Sequence, residues 1–265
     1  MRVAIVGLGL MGGSLGLALR RAGIAVTGSD SDAATTARAL ELGAIEAPAD
    51  QLDAADLVVL AVPLGAVRSA LAQVPRGVLT TDLCSTKVAV VEWAREAGLD
   101  FVGGHPLCGS ERSGIDAARA DLYAGAPWAL TRPDPVVEEM VSAVGAEPLI
   151  VSPEEHDRLV AGGSHLAFLV SAAYMLAAAE AEDWPAMAAL TGSGFRDMTR
   201  LAAGDPEMYA AILATNRENI LARLDEFQVA LERFRLRLAE EDSELADLFE
   251  RGRAARLAWA EGRQT

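Results

Sequence analysis

Cysteine is nearly absent from this 265-residue chain, with Cys84 and Cys108 the only two. Two thiols cannot build the bridge framework of a small secreted scaffold, and the opening MRVAIVG leaves no room for a signal peptide, so a cytoplasmic protein is expected. Basic residues are scarce as well, 23 against 38 acids, for a formal charge of −15. That balance argues against nucleic acid or an anionic membrane surface as partner. An anionic small molecule would need local arginines or a helix N-terminus to override the global field. From Leu159 to Ala179 there is no Asp, Glu, Lys or Arg. The stretch reaches membrane-spanning length, yet its apolarity is largely alanine, broken by two glycines, two serines and a histidine. A buried helix is therefore expected there.

What is present is a regular alternation. Short apolar runs at 2–6, 24–29, 57–62, 77–82, 100–103, 128–131 and 147–151 read as strands, several apolar on successive residues. Helix-like stretches at 12–22, 33–42, 64–72, 87–97 and 135–144 separate them. Continuous apolar strands between helices predict a parallel α/β sheet covered on both faces. After Ser152 the pattern is helical throughout, opening on S-P-E-E with an N-cap, an early proline and acids in the first turn. The expected domains are residues 1–151 and 152–265. Ile220, Leu224, Phe227, Leu231, Phe234 and Leu238 recur at heptad spacing. This seam reads either as a helix packed within its own chain or as a subunit interface, and a symmetric dimer is expected.

Gly7, Gly9 and Gly12 form G-x-G-x-x-G between the first strand and the first helix. The glycines suit a tight turn, close approach of a pyrophosphate and helix packing on the strand, with the helix N-terminus facing the phosphates. The second strand ends at Asp30, eighteen residues beyond Gly12, where a carboxylate accepts hydrogen bonds from a ribose 2′-hydroxyl and repels a 2′-phosphate. NAD is expected over NADP. Leu10 and Met11 in the glycine turn, with Val62 and Pro63 after the strand at 57–62, are expected to line the same site.

His105 lies in GGHPLCGSERSG, just past a late strand, and Ser85 lies past another in TDLCSTK. Ligands of open α/β sheets gather outside the strands' carboxyl ends, and imidazole titrates where a hydroxyl proton must be taken as hydride leaves carbon. His105 is the candidate base; a structural histidine is the other reading.

Together GLGLMGGS, DLCSTK, GGHPLCGSERSG, PEEHDRLVAGGSHL and GFRDMTR resemble the prephenate/arogenate dehydrogenase family, in order and across almost the whole chain. The resemblance implies a Rossmann-type NAD-binding domain followed by an all-α dimerisation domain, and a homodimer. It implies oxidative decarboxylation of prephenate to 4-hydroxyphenylpyruvate, or of arogenate to tyrosine. It implies that His105 assists deprotonation of the ring hydroxyl and that Ser85 bridges hydroxyl, histidine and nicotinamide. Arg200 would hold a substrate carboxylate, with Arg196 on the same helical face, and Ser110 and Glu111 would shape the pocket beside His105. Ser164 and His165 would contact substrate. No metal is implied, and His156 and His165 are not spaced as a ligand cluster. His156, beside Asp157, reads as exposed.

One departure stands out. Relatives often read SHLPH where this chain has Ser164-His165-Leu166-Ala167-Phe168, so Phe168 replaces a second pocket histidine. That leaves the choice between prephenate and arogenate, and inhibition by tyrosine, open. A regulatory domain of the ACT type or a fused chorismate mutase is not expected. Among alternatives, related 3-hydroxyacid and imine reductases usually place a lysine on the helical side, whereas Lys87 is the only lysine here. A dehydrogenase of 4-amino-4-deoxyprephenate and a non-catalytic NAD sensor remain as further readings.

Overall fold

The structure, a computed structural model, describes residues 1–109, 112–240 and 245–262. Six parallel strands form the main sheet: β1 (Arg2–Val6), β2 (Ala25–Ser29), β3 (Ala47–Pro48), β4 (Leu57–Leu60), β5 (Leu79–Asp82) and β6 (Asp100–Val102), in the order β3-β2-β1-β4-β5-β6. Between them run α1 (Leu10–Arg21), α2 (Ala33–Glu41), α3 (Leu64–Leu71) and α4 (Val88–Ala97). The successive apolar residues have their expected cause. Val3 and Ile5 join a core with Leu15, Leu19 and Val26, whereas the intervening Ala4 joins a second core with Val58, Leu60, Leu71 and Val90. Alternate side chains point to opposite faces, and helices cover both.

The later strands depart from the single sheet expected. β7 (Gly104–Pro106), β8 (Pro127–Leu130) and β9 (Glu147–Ile150) make a second sheet, antiparallel between β7 and β8 and parallel between β8 and β9, with α5 (Pro135–Ala143) as its crossover. The chain changes sheet at Gly103 and Gly104, where backbone segments pass very close. A Cβ on Gly104 would meet the Asp82 carbonyl oxygen at 2.6 Å. No larger residue lets β7 pass so near the end of β5.

Beyond β9 the chain is helical: α6 (Pro153–Val160), a π turn (Ala161–His165), α7 (Leu166–Ala179), α8 (Trp184–Ala189), α9 (Ser193–Thr199), a 3₁₀ turn (Arg200–Ala203) and α10 (Pro206–Thr215). Ser152 caps α6 as expected, its hydroxyl accepting from the Glu155 N–H at 3.2 Å. α6 packs on α4 and α10 on α3, and Phe168 and Ile212 enter the second core. Residues Met1–Arg217 thus form one compact unit, and Glu218–Thr265 a second.

The second unit holds α11 (Arg217–Ala239) and α12 (Leu245–Glu261), with Phe234 edge-on to Phe249 at 5.2 Å. Within this chain Leu231 and Leu238 of the heptad seam stay exposed. The uncharged helix is also less buried than expected. In Pro153–Ala179, a helical run long and apolar enough by composition to cross a membrane, one face packs on the nucleotide-binding side while Leu159, Tyr174 and Leu176 lie open. α7 packs on α9 and the 3₁₀ turn and sends Phe168 into the second core, and the rest of its apolar surface stays open within this chain.

Candidate active site

At the nucleotide end the strand order reverses between β1 and β4, the place where open α/β sheets bind ligands. Gly7 has φ +94°, and a Cβ there would meet the Ala61 carbonyl oxygen at 2.5 Å. A Cβ on Gly12 would collide with the Gly7 carbonyl, whereas one on Gly9, the residue preceding α1, would project into open space. Two glycines therefore fold the turn and the third leaves a cradle at a helix N-terminus, the space a pyrophosphate requires. Leu10 and Met11 form the first turn above it, and Val62 lies against Gly7, with Pro63 starting α3. Asp30 sits at the end of β2 and accepts from the Leu8 N–H at 2.8 Å and the Asp32 N–H at 3.0 Å. A neighbouring cleft of about 460 Å³ runs along Val6, Ser29, Asp50, Gln51, Asp53 and Gln73. Its lining carries Asp50 and Asp53 and no Lys or Arg among the described residues.

Around His105 the geometry is tighter. Its Nδ1 lies 2.9 Å from His156 Nε2, and His156 Nδ1 lies 2.7 Å from Asp157 Oδ1. The Asp157 carboxylate also accepts the main-chain N–H groups of Lys87 at 2.7 Å and Val88 at 2.9 Å, closing the N-terminus of α4. An oxygen that takes those donors accepts from His156 too, so His156 carries its proton on Nδ1. In its neutral form Nε2 then accepts the Nδ1–H of His105. The lone pair of His105 is left on Nε2. Burial holds the His105 pKa well below the ordinary imidazole range, helped by His156, Lys87 and His165 nearby. At neutral pH it is an uncharged base.

The strand under His105 is clamped by a buried ion pair. Lys87 Nζ meets the Asp82 carboxylate and donates to the Gly104 carbonyl at 2.6 Å, while Asp82 accepts the N–H groups of Gly104 and Cys84, each at 2.9 Å. Every polar partner of the pair fixes the backbone beside His105 or Ser85, which sits half-buried between β5 and α4.

His165 is buried, its Nδ1 3.1 Å from Asn216 Nδ2, and its ring lies 5.9 Å from Phe168. Phe168 stacks on Tyr209 at 4.0 Å and 5°. Burial raises the Tyr209 phenol while the charge of Arg200, an exposed residue, opposes that shift from within electrostatic reach. The 3₁₀ turn bearing Arg200 is pinned by the Ala202 N–H donating to Ser171 Oγ and by Tyr209 donating to the Leu201 carbonyl.

Not every expected residue joins the cluster. His156, expected on the surface, is 2% exposed, because His156, Asp157 and Val160 share the face of α6 turned inward while Glu154, Glu155 and Arg158 take the outer one. Arg196 is 77% exposed beside Asp197, and Arg200, one turn further on at the C-terminal end of α9, is exposed as well. Ser164 is exposed in the π turn. Ser110 and Glu111 lie outside the described residues. The sequence reading missed Asp157, Asn216, Asp82 and Lys87. Only Lys87, a lone lysine next to a strand-end serine, carried a visible signal.

The comparisons agree with this geometry. Residues 15–145 match the nucleotide-binding domain of prephenate dehydrogenase, and residues 152–251 match its dimerization domain. A prephenate dehydrogenase of Lactococcus lactis subsp. cremoris is 30% identical over 97% of this chain and 77% of its own length. The structure of prephenate dehydrogenase from A. aeolicus in complex with hydroxyphenyl propionate and NAD+ superposes with a TM-score of 0.90 at 28% identity, covering 97% of this chain and 98% of that one. Synechocystis arogenate dehydrogenase gives a TM-score of 0.83 at 28% identity, over 98% and 100%. With both halves matched in order and a glycine cradle at the start of α1, the chain is an oxidoreductase that belongs to the prephenate dehydrogenase family.

Proposed function

We propose that the chain catalyses the NAD-dependent oxidative decarboxylation of prephenate to 4-hydroxyphenylpyruvate, the residues to 151 holding the nucleotide and those from 152 the substrate and a second copy. The observation that carries this is the Asp157–His156–His105 chain, which leaves an unprotonated Nε2 on His105. NAD, when bound at the glycine turn, supplies the hydride acceptor. His105 Nε2 takes the proton of the ring hydroxyl, and its Nδ1–H is already directed at His156, so the positive charge that develops is shared with His156 and faced by the Asp157 carboxylate. Asp157 need not become protonated to do this. Ser85 orients the hydroxyl. Arg200, within electrostatic reach of Tyr209, holds a carboxylate in an otherwise acidic protein. Loss of the ring carboxylate as carbon dioxide gives a phenol, and aromatisation draws the reaction forward.

The exposed apolar faces of α7, α11 and α12 support a homodimer formed through the helical half. The activity is tested by following NADH formation with purified protein, NAD or NADP, and prephenate or arogenate. Turnover of prephenate with NAD is expected. Turnover of arogenate alone would reassign the substrate, and turnover of neither with NAD binding intact would favour an amino-substituted analogue or a sensor.

A further inference from the structure

The helix that carries His156 and His165 is not regular, and its irregularity has a geometric effect. The two histidines stand nine positions apart. In a continuous α-helix at about 100° per residue they would point about 180° apart. The π turn at Ala161–His165 holds one residue more than an α-turn, which takes out one such step and leaves about 80° between them. Both rings are accordingly buried on one side of the helix, within electrostatic reach of each other and of His105.

Asn216 then decides what His165 offers. Its Nδ2 donates to the Asp157 carbonyl oxygen at 2.7 Å and lies 3.1 Å from His165 Nδ1. A carbonyl only accepts, so the group facing it is the amide nitrogen, and the second N–H of that nitrogen is directed at His165 Nδ1. Nδ1 must therefore bear the lone pair. Burial keeps the ring neutral, with its pKa lowered to about 4 against the opposing pull of Asp157. The ring proton sits on Nε2, a buried atom that faces the Ser85 main-chain carbonyl but has no partner at ordinary hydrogen-bond distance among the described residues.

We infer that Asn216 and the π turn are positioning elements that hold His165 as an Nε2–H donor to the substrate oxygen that gives its proton to His105. Two neutral imidazoles of opposite tautomer thus meet one hydroxyl, His105 accepting its proton and His165 donating to its oxygen as negative charge develops there. This rests on the reaction proposed above for the site.

The three histidines make the test direct. Long-range proton–nitrogen correlation spectra of protein carrying ¹⁵N-histidine, assigned by single substitutions, report each ring's tautomer without any substrate. His165 is expected as Nε2–H, and His105 and His156 as Nδ1–H. Asn216→Leu should mix the tautomers of His165 and lower kcat by roughly 10- to 100-fold with NAD affinity unchanged. Asn216→Asp should turn His165 to the Nδ1–H form and move the acid limb of the kcat profile to higher pH. Removal of Gly163 turns the π turn into regular helix but keeps the two rings about 80° apart, eight positions at about 100° each, so His165 is expected to stay Nε2–H in that variant. An Nδ1–H His165 in the wild-type protein overturns the inference even if no variant folds, and so does an Asn216→Leu enzyme with unchanged kcat. Because the spectra need no turnover, inactivity towards prephenate would count against the proposed reaction and leave the tautomer assignment standing.

Discussion

His156 reaches His105 across 2.9 Å from α6, and its own proton is committed to Asp157. The proposed base is therefore oriented by a residue 51 positions away. His105→Asn should lower kcat by a factor on the order of 10²–10⁴ with NAD affinity nearly intact. His156→Phe keeps the ring's volume but leaves the His105 Nδ1–H without an acceptor. A smaller kcat loss, on the order of 10-fold to 10²-fold, is expected from it, with the KM for substrate little changed. Equal KM and kcat in the His156 variant would show that the contact does not orient the base.

The pH behaviour follows from the same burial. Both His105 and His165 titrate lower in the folded protein than the about 6.5 of the unfolded chain, His105 well below and His165 near about 4. The unfolded state binds the extra protons first. Stability from these two groups is full above about pH 6.5 and falls as pH drops towards their folded values. The kcat/KM profile should consequently stay flat through the usual histidine range and bend only at lower pH. Thermal melts between pH 7.5 and 4.5, alongside rates, check this; an acid limb at an ordinary imidazole pKa would contradict it.

The nucleotide half was legible because its signals are local. Gly7, Gly9, Gly12 and Asp30 fall within one strand–helix–strand unit, and each strand there is apolar on consecutive residues because both faces are covered. His156 was misread because its neighbours Glu154, Glu155 and Arg158 make α6 the most polar helix near the site, and about two turns show too little periodicity to tell its inner face. Asn216 left no trace at all. Its meaning lies in Asp157 and His165, 59 and 51 positions away, which only the tertiary structure brings together. The second sheet was hidden for a similar reason: β8 is as continuously apolar as a strand of the main sheet, and what diverts it is the close approach at Gly104.

Lys87 and Asp82 are both fully buried, so removing one partner strands the other's charge. Lys87→Met should destabilise the protein by about 3–5 kcal/mol. The double variant with Asp82→Leu should not recover the loss, because Asp82 also serves the N–H groups of Gly104 and Cys84, which would then be buried without an acceptor. Denaturant unfolding of the two variants separates these cases. Recovery in the double variant would mean that the clamp acts through charge alone.

Arg200 and Arg196 should differ sharply although they stand four residues apart. Both are exposed, but the Arg200 charge reaches Tyr209, in the row that leads through Phe168 to His165, whereas Arg196 faces Asp197. Arg200→Gln should raise the KM for substrate by about 10- to 100-fold and change kcat less, the mark of a lost contact made equally in ground and transition states. Arg196→Gln should change KM by no more than about 2-fold, since an exposed charge beside another contributes little. Steady-state kinetics on the pair decide the point. An equal rise in both would require Arg196 to swing inward when substrate binds, and would return it to the carboxylate-binding set.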